Sequence, residues 1–163
     1  MITRHRRIRM GVAVAVASGV AAVASIFGFV GPASGTASLN VTVLARGTVA
    51  SAFRIHVDGI RVSAKGPMDI TTAHLMFPPG ATTGWHIHPG PVLVIVASGT
   101  VTKYSSDCVA TRYTPGQAFV EFGPSDINMV LNESSTTQAD TIVTFLTPVG
   151  ATLKEDVPAP CNP

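Results

Sequence analysis

The sequence predicts an all-β domain, and three observations carry that prediction. From about residue 38 onward, short runs rich in Val, Ile and Thr alternate with Gly, Pro, Asn and Asp, and almost no 3.6-residue apolar periodicity is present. The breaks carry turn chemistry at Asp58-Gly59, Lys65-Gly66-Pro67, Pro78-Pro79-Gly80, Pro89-Gly90-Pro91, Ser98-Gly99, Thr114-Pro115-Gly116 and Gly123-Pro124-Ser125-Asp126. About eleven strands in so short a chain require two packed sheets or a closed barrel.

The elements follow in order. Residues 40–44 alternate polar and apolar side chains, and 52–56 and 60–63 flank Asp58-Gly59, a tight-turn dipeptide. Residues 69–77 form a longer apolar run with His74 in its middle, and 83–88 carry Trp85, His86 and His88. Residues 92–97 are apolar without alternation, which predicts a strand covered on both faces. Further strands are expected at 100–104, 110–113, 118–122, 127–131 and 141–147, each bounded by turn residues. The proline-rich end, 157–163, is expected to lie along the surface. No internal repeat is present.

Ahead of this domain, Arg4, Arg6, Arg7 and Arg9 precede an apolar run at residues 10–30, and small residues follow at Ala33, Gly35 and Ala37. This is the charged, apolar and small-residue order of an export signal, so residues 1–37 are expected to be a signal peptide, with Gly35-Thr36-Ala37 as processing site. The 21-residue run is also long enough to cross a bilayer as an uncleaved anchor helix. Either way the positive-inside rule delivers residues 38–163 outside the cytoplasm, secreted or membrane-anchored.

Residues 38–163 hold seven of the eleven Lys and Arg and all nine Asp and Glu, a net charge of −2. The basic balance of the whole chain therefore comes from the leader. No basic patch interleaved with aromatics remains, which argues against a nucleic-acid partner. Length suffices for one domain with a substantial core. Cys108 and Cys161 are the only cysteines, both in the exported part, and an even count in an oxidising compartment predicts that they pair.

His86 and His88 leave a strand on the same face, about 7 Å apart along the chain, so both can reach one ion. Gly80, His86, His88 and Gly99 reproduce the spacing of the first cupin motif, G-x5-H-x-H-x3,4-E-x6-G, with Val92 in the glutamate position. Gly116 to Asn132 resembles the second motif, G-x5-P-x-G-x2-H-x3-N, with one extra residue and Asn128 where the motif has histidine. The chain thus resembles small exported bacterial cupins with a Gly-Trp-His-x-His-Pro-Gly-Pro run. The resemblance implies a jelly-roll β-barrel whose mouth takes a small molecule, and pairing of copies through their sheets as a homodimer.

Two of the four ligands implied by the resemblance are replaced, so a third donor must come from elsewhere. Candidates are Glu121, at the end of a predicted strand, and Asp126, two residues before Asn128 and on its face. Two histidines and one such carboxylate make the facial set of non-haem iron enzymes. The alternative is that Glu121 and Asp126 are solvated turn residues. His74 reads as a structural histidine with a satisfied hydrogen bond, and His56 takes no role. Trp85, facing away from the histidines, is expected to pack on the outer sheet or on a partner chain.

These residues lead to an exported barrel that binds a small molecule, with a divalent transition metal on His86 and His88 and Asn128 hydrogen bonding to the ligand. No organic cofactor is expected, and a membrane is met only through residues 10–30 if they are retained. Enzymatic alternatives are a metal-dependent dioxygenase or isomerase. Another is a non-catalytic cell-surface interaction module. No Gly-x-Ser-x-Gly elbow or phosphate-loop spacing supports other chemistries.

Overall fold

Residues 37–162 are described by a computed structural model. The expected signal or anchor segment, apart from Ala37, lies outside the described residues. Twelve strands are formed: β1 (Asn40–Val49), β2 (Phe53–Val57), β3 (Ile60–Ala64), β4 (Met68–Phe77), β5 (His86–Ile87), β6 (Val92–Ser98), β7 (Val101–Ser105), β8 (Ala110–Tyr113), β9 (Ala118–Glu121), β10 (Asn128–Leu131), β11 (Ala139–Pro148) and β12 (Glu155–Asp156). No helix occurs among the described residues.

Two five-stranded antiparallel sheets result, in the orders β1-β4-β11-β6-β9 and β12-β5-β10-β7-β8. Side-chain alternation sorts each strand. Along β4 and β11, Ala73, Leu75, Phe77, Val143 and Phe145 are buried while their neighbours are less so. They pack with Val92, Val94, Val96 and Phe119 of the same sheet and with Val101 and Val130 of the other, forming one core between the sheets.

β6 departs from the expectation of cover on both faces. Its odd-register side chains Leu93 and Ile95 are 44% and 51% exposed, so only Val92, Val94 and Val96 face the core. A continuous apolar run reads the same whether one face or two are covered, because sequence alone does not say what lies beyond the outer face. The strand expected at 83–88 shrinks to β5, two residues long, and Trp85 lies in the bend before it. Trp85 is buried, which rules out its packing on an outside partner.

Residues 157–162 run along the surface as expected, and the segment just ahead of them is built into the fold. Glu155 and Asp156 pair with Ile87 and His86, the Val157 amide donates to the Trp85 carbonyl, and Leu153 packs on the core. Cys108 and Cys161 lie at disulfide distance, with Cα atoms 6.1 Å apart, and fasten that segment. Such a pair points to an oxidising environment.

Two local devices hold the motif ends. Gly99 has φ of +66°, and a Cβ there would collide with the Gln138 carbonyl and with Ala139 at the start of β11. Asn132 is buried and uses its Nδ2 to donate to the carbonyls of Phe77 and Thr137 at 2.9 and 2.8 Å, while its Oδ1 accepts from the Ser134 amide. That side chain ties β4, β10 and the loop into β11 together.

β2 and β3 stand apart as a two-stranded sheet inserted between β1 and β4. At its root the buried Asp69 accepts from Thr48 Oγ1 at 2.6 Å, Arg46 at 2.5 Å and the Gly150 amide at 2.9 Å. Those bonds, Thr48 foremost, then Gly150 and Arg46, hold its carboxyl down at about 2.

Candidate metal centre

The short β5 delivers His86, and the turn after it delivers His88. Both imidazoles are buried between the sheets, 4.7 Å apart and nearly perpendicular. Gly84, at φ +67°, turns the chain ahead of β5, and its carbonyl accepts from His86 Nδ1 at 2.9 Å. His88 Nδ1 donates to the Leu153 carbonyl at 2.5 Å.

With both Nδ1 atoms donating, neutral imidazoles would carry lone pairs on Nε2, and these two nitrogens face each other at 3.0 Å. Two lone pairs at that separation repel unless a proton or a cation lies between them.

Glu121, at the end of β9, completes the group. Its Oε2 is 2.8 Å from His88 Nε2 and 3.8 Å from His86 Nε2, and its side chain is buried. Glu121 pairs directly across strands with Val92, the residue in the motif's glutamate position. Cross-strand partners share a face with Cβ atoms ~5 Å apart. The carboxylate has therefore moved one strand sideways and still reaches the same point in space.

Burial pushes the Glu121 carboxyl up, but the His86 and His88 imidazoles beside it outweigh burial and bring the group down to about 2. His86, His88 and Glu121 form a group whose ligand atoms all lie within 4.8 Å of one another. Three donors each about 2.1 Å from one ion lie roughly 3.0–3.4 Å apart, so the edges of 2.8, 3.0 and 3.8 Å bracket what such an ion needs. Donor chemistry and spacing fit a divalent transition metal, and the Nδ1 bonds to backbone carbonyls are the usual outer support of metal-bearing histidines.

The remaining candidates fall elsewhere. Asp126 accepts from the Phe122 amide at 2.8 Å and faces Lys103 Nζ at 3.4 Å, outside the group. Asn128 pairs with His86 and is fully buried; its Nδ2 donates to the Asp126 carbonyl and its Oδ1 has no protein partner. It does not line the cavity described next, so the expected hydrogen bond from Asn128 to a ligand there is not supported. His74 binds Asp140 at 2.9 Å on the outer side of β4, the satisfied structural histidine expected.

Beside the triad a cavity of about 150 Å³ runs between the sheets, walled by Leu75, Phe77, Val94, Phe119, Val143 and Phe145. The Phe145 ring lies 5.6 Å from that of His88. Thr141 also lines the cavity, and its buried hydroxyl has no protein partner. Leu153 and Lys154, which no local pattern marks out, complete the lining from the C-terminal segment. The pairing of β12 with β5 that brings them there leaves no periodic trace in two residues.

No protein-family model and no curated protein matches the chain. Solved structures do resemble it. A double-stranded β-helix protein from Klebsiella pneumoniae is 17% identical, with a TM-score of 0.45 over 51% of this chain and 66% of the other. A cupin-like protein from Thermotoga maritima is 22% identical, at 0.48 over 55% and 65%. A Cupin 2 conserved barrel domain protein from Salinispora arenicola is 14% identical, at 0.47 over 68% and 76%. The chain spans just under two thirds of the first two. At these scores the likeness adds no weight of its own to the two-sheet topology and the Gly80, His86, His88, Gly99 spacing, which are what make the chain similar to cupin barrels.

Proposed function

We propose that this chain is an exported cupin-type barrel that binds a small, mostly apolar molecule beside a divalent transition metal held by His86, His88 and Glu121. The observation that carries the reading is the facing pair of Nε2 lone pairs with a buried carboxylate closing the triangle. Such a donor set is stabilised by a cation and destabilised without one. A bound ion would supply Lewis acidity toward an oxygen of the ligand.

The chain's own residues do the rest. The Gly84 and Leu153 carbonyls fix both imidazole tautomers, so the nitrogens present lone pairs inward. The apolar walls exclude water, and about 150 Å³ is the volume of an apolar cavity that accepts benzene. The ligand is therefore of single-ring size, with one oxygen at the triad and a second polar atom within reach of Thr141. The export signature at residues 1–37 and the cysteine pair support a location outside the cytoplasm.

A dioxygenase or isomerase reading is favoured by one observation: the carboxylate that such chemistry needs is supplied by Glu121. Elemental analysis of protein purified without chelators tests the shared premise. The expected result is close to one equivalent of a transition metal after reconstitution. Less than about a tenth of an equivalent removes both readings.

A further inference from the structure

The β2–β3 hairpin is amphipathic in a way that the barrel does not use. Its cross-strand pairs Phe53 with Ala64, Ile55 with Val62 and Val57 with Ile60 put only apolar side chains on one face. The alternate pairs, Arg54 with Ser63 and His56 with Arg61, put polar and cationic side chains on the other. Ile55, Val57, Ile60 and Val62 are 52%, 59%, 68% and 41% exposed, so among the described residues nothing covers the apolar face. A two-stranded ribbon is marginal in water unless a face is packed.

Charge is divided along the same line. Residues 53–65 carry three cations, Arg54, Arg61 and Lys65, against Asp58 alone, whereas the rest of 37–163 carries four cations against eight acids. The hairpin is thus a positive, apolar-faced arm on a negative body. The groove at its root is shared with Pro89, Gly90 and Pro148, and the neighbouring Val149 is also exposed.

We propose that this hairpin docks on an anionic lipid bilayer, with Ile55, Val57, Ile60 and Val62 entering the interface and Arg54, Arg61 and Lys65 meeting headgroup phosphates. A second copy of the chain is the weaker occupant on two grounds. A face of five-residue strands measures roughly 17 by 10 Å, so two such faces bury far less than the ~1,200 Å² of a stable interface. Like positive charge on both arms would also oppose their pairing. A bilayer accepts a face of that size without needing a matching surface, and an anionic one carries the complementary charge. This contact is separate from any made by residues 10–30, and it is independent of the metal centre.

The test uses the full chain with Val57→Trp, so that emission reports the hairpin itself whatever the leader does. The native Trp85 is buried and gives a constant background. Vesicles of phosphatidylglycerol should shift the new emission to the blue, and brominated phosphatidylglycerol should quench it. Adding Arg54→Gln and Arg61→Gln should weaken this partition roughly 30-fold. Ile60→Trp on the paired strand gives the same readout should Val57→Trp not fold. Emission that keeps its water-exposed position with anionic vesicles overturns the proposal. So does a blue shift without lipid that grows with protein concentration as the mass doubles in light scattering, which assigns the arm to a second copy.

Discussion

Replacing Glu121 by Gln keeps the shape of the side chain and removes the only negative charge of the triad. The three donors are buried, with the carboxylate 2.8 Å from one imidazole nitrogen and 3.8 Å from the other. Without it a dication would be left among two neutral nitrogens and apolar walls. Stripping one partner from a buried charge pair costs about 3–5 kcal/mol. At 1.4 kcal/mol per decade, the lower bound already corresponds to a Kd about 100-fold weaker. The assay is competition of Ni(II) or Zn(II) against a chromophoric chelator, with circular dichroism confirming that the fold persists. Asp126→Asn is the control and should stay within about twofold, because Asp126 is engaged by Lys103 and the Phe122 amide. A Glu121→Gln affinity within about threefold of the unaltered chain would refute the assignment of the third ligand.

Other predictions follow from the same geometry. Ending the chain before Leu153, or reducing the Cys108–Cys161 pair, should weaken metal binding about 10- to 100-fold, since His88 loses the carbonyl that fixes its tautomer; unchanged affinity after truncation would show that the tail is dispensable. Replacing either cysteine by Ser frees a loop spanning 53 residues and should cost roughly 4 kcal/mol in the chain-entropy model, read by urea titration, while thiol titration of the unaltered chain should find none. Asp69 is held down at about 2, so its contribution is complete above the unfolded carboxyl range near 4 and is lost as pH falls toward 2. Asp69→Asn should flatten the fall of the thermal midpoint between pH 5 and 2, and a curve parallel to the original would contradict this. Gly99→Ala adds a Cβ against the Gln138 carbonyl at a left-handed residue and should destabilise by roughly 2 kcal/mol or more; a loss under about 0.5 kcal/mol would show that β11 yields there.

Much of the fold was legible in the sequence because strands and turns write themselves locally. Asp58-Gly59 marked its hairpin, Ala110 to Tyr113 was bounded correctly at both ends, and the apolar run at residues 69–77 gave nearly all of β4. The site was legible in part: His-x-His is a local pattern, and Glu121 stood out as a carboxylate closing a strand. That Glu121 replaces the absent motif residue was hidden, because it depends on the pairing of Val92 with Glu121 and sequence spacing carries no register between strands. Asn128, in the motif's histidine position, shares a strand pair with His86 yet misses the cavity, since strand adjacency does not fix where a side chain ends. Leu153 and β12 escaped for a different reason, two paired residues being too few to show a period.

The position of β11 sets the order in which the molecule can be made. It lies between β4 and β6, pairing Ala139 with Phe77 at one end and Pro148 with Met68 at the other. Until residue 148 is available, β4 has no partner on that side, and β6 and β9 have no sheet to join. Closure over such sequence distances is slow, and the waiting strands are apolar and unpaired. The chain therefore reaches its native form only after its last strands have been released, and the His86, His88 and Glu121 group is complete only then.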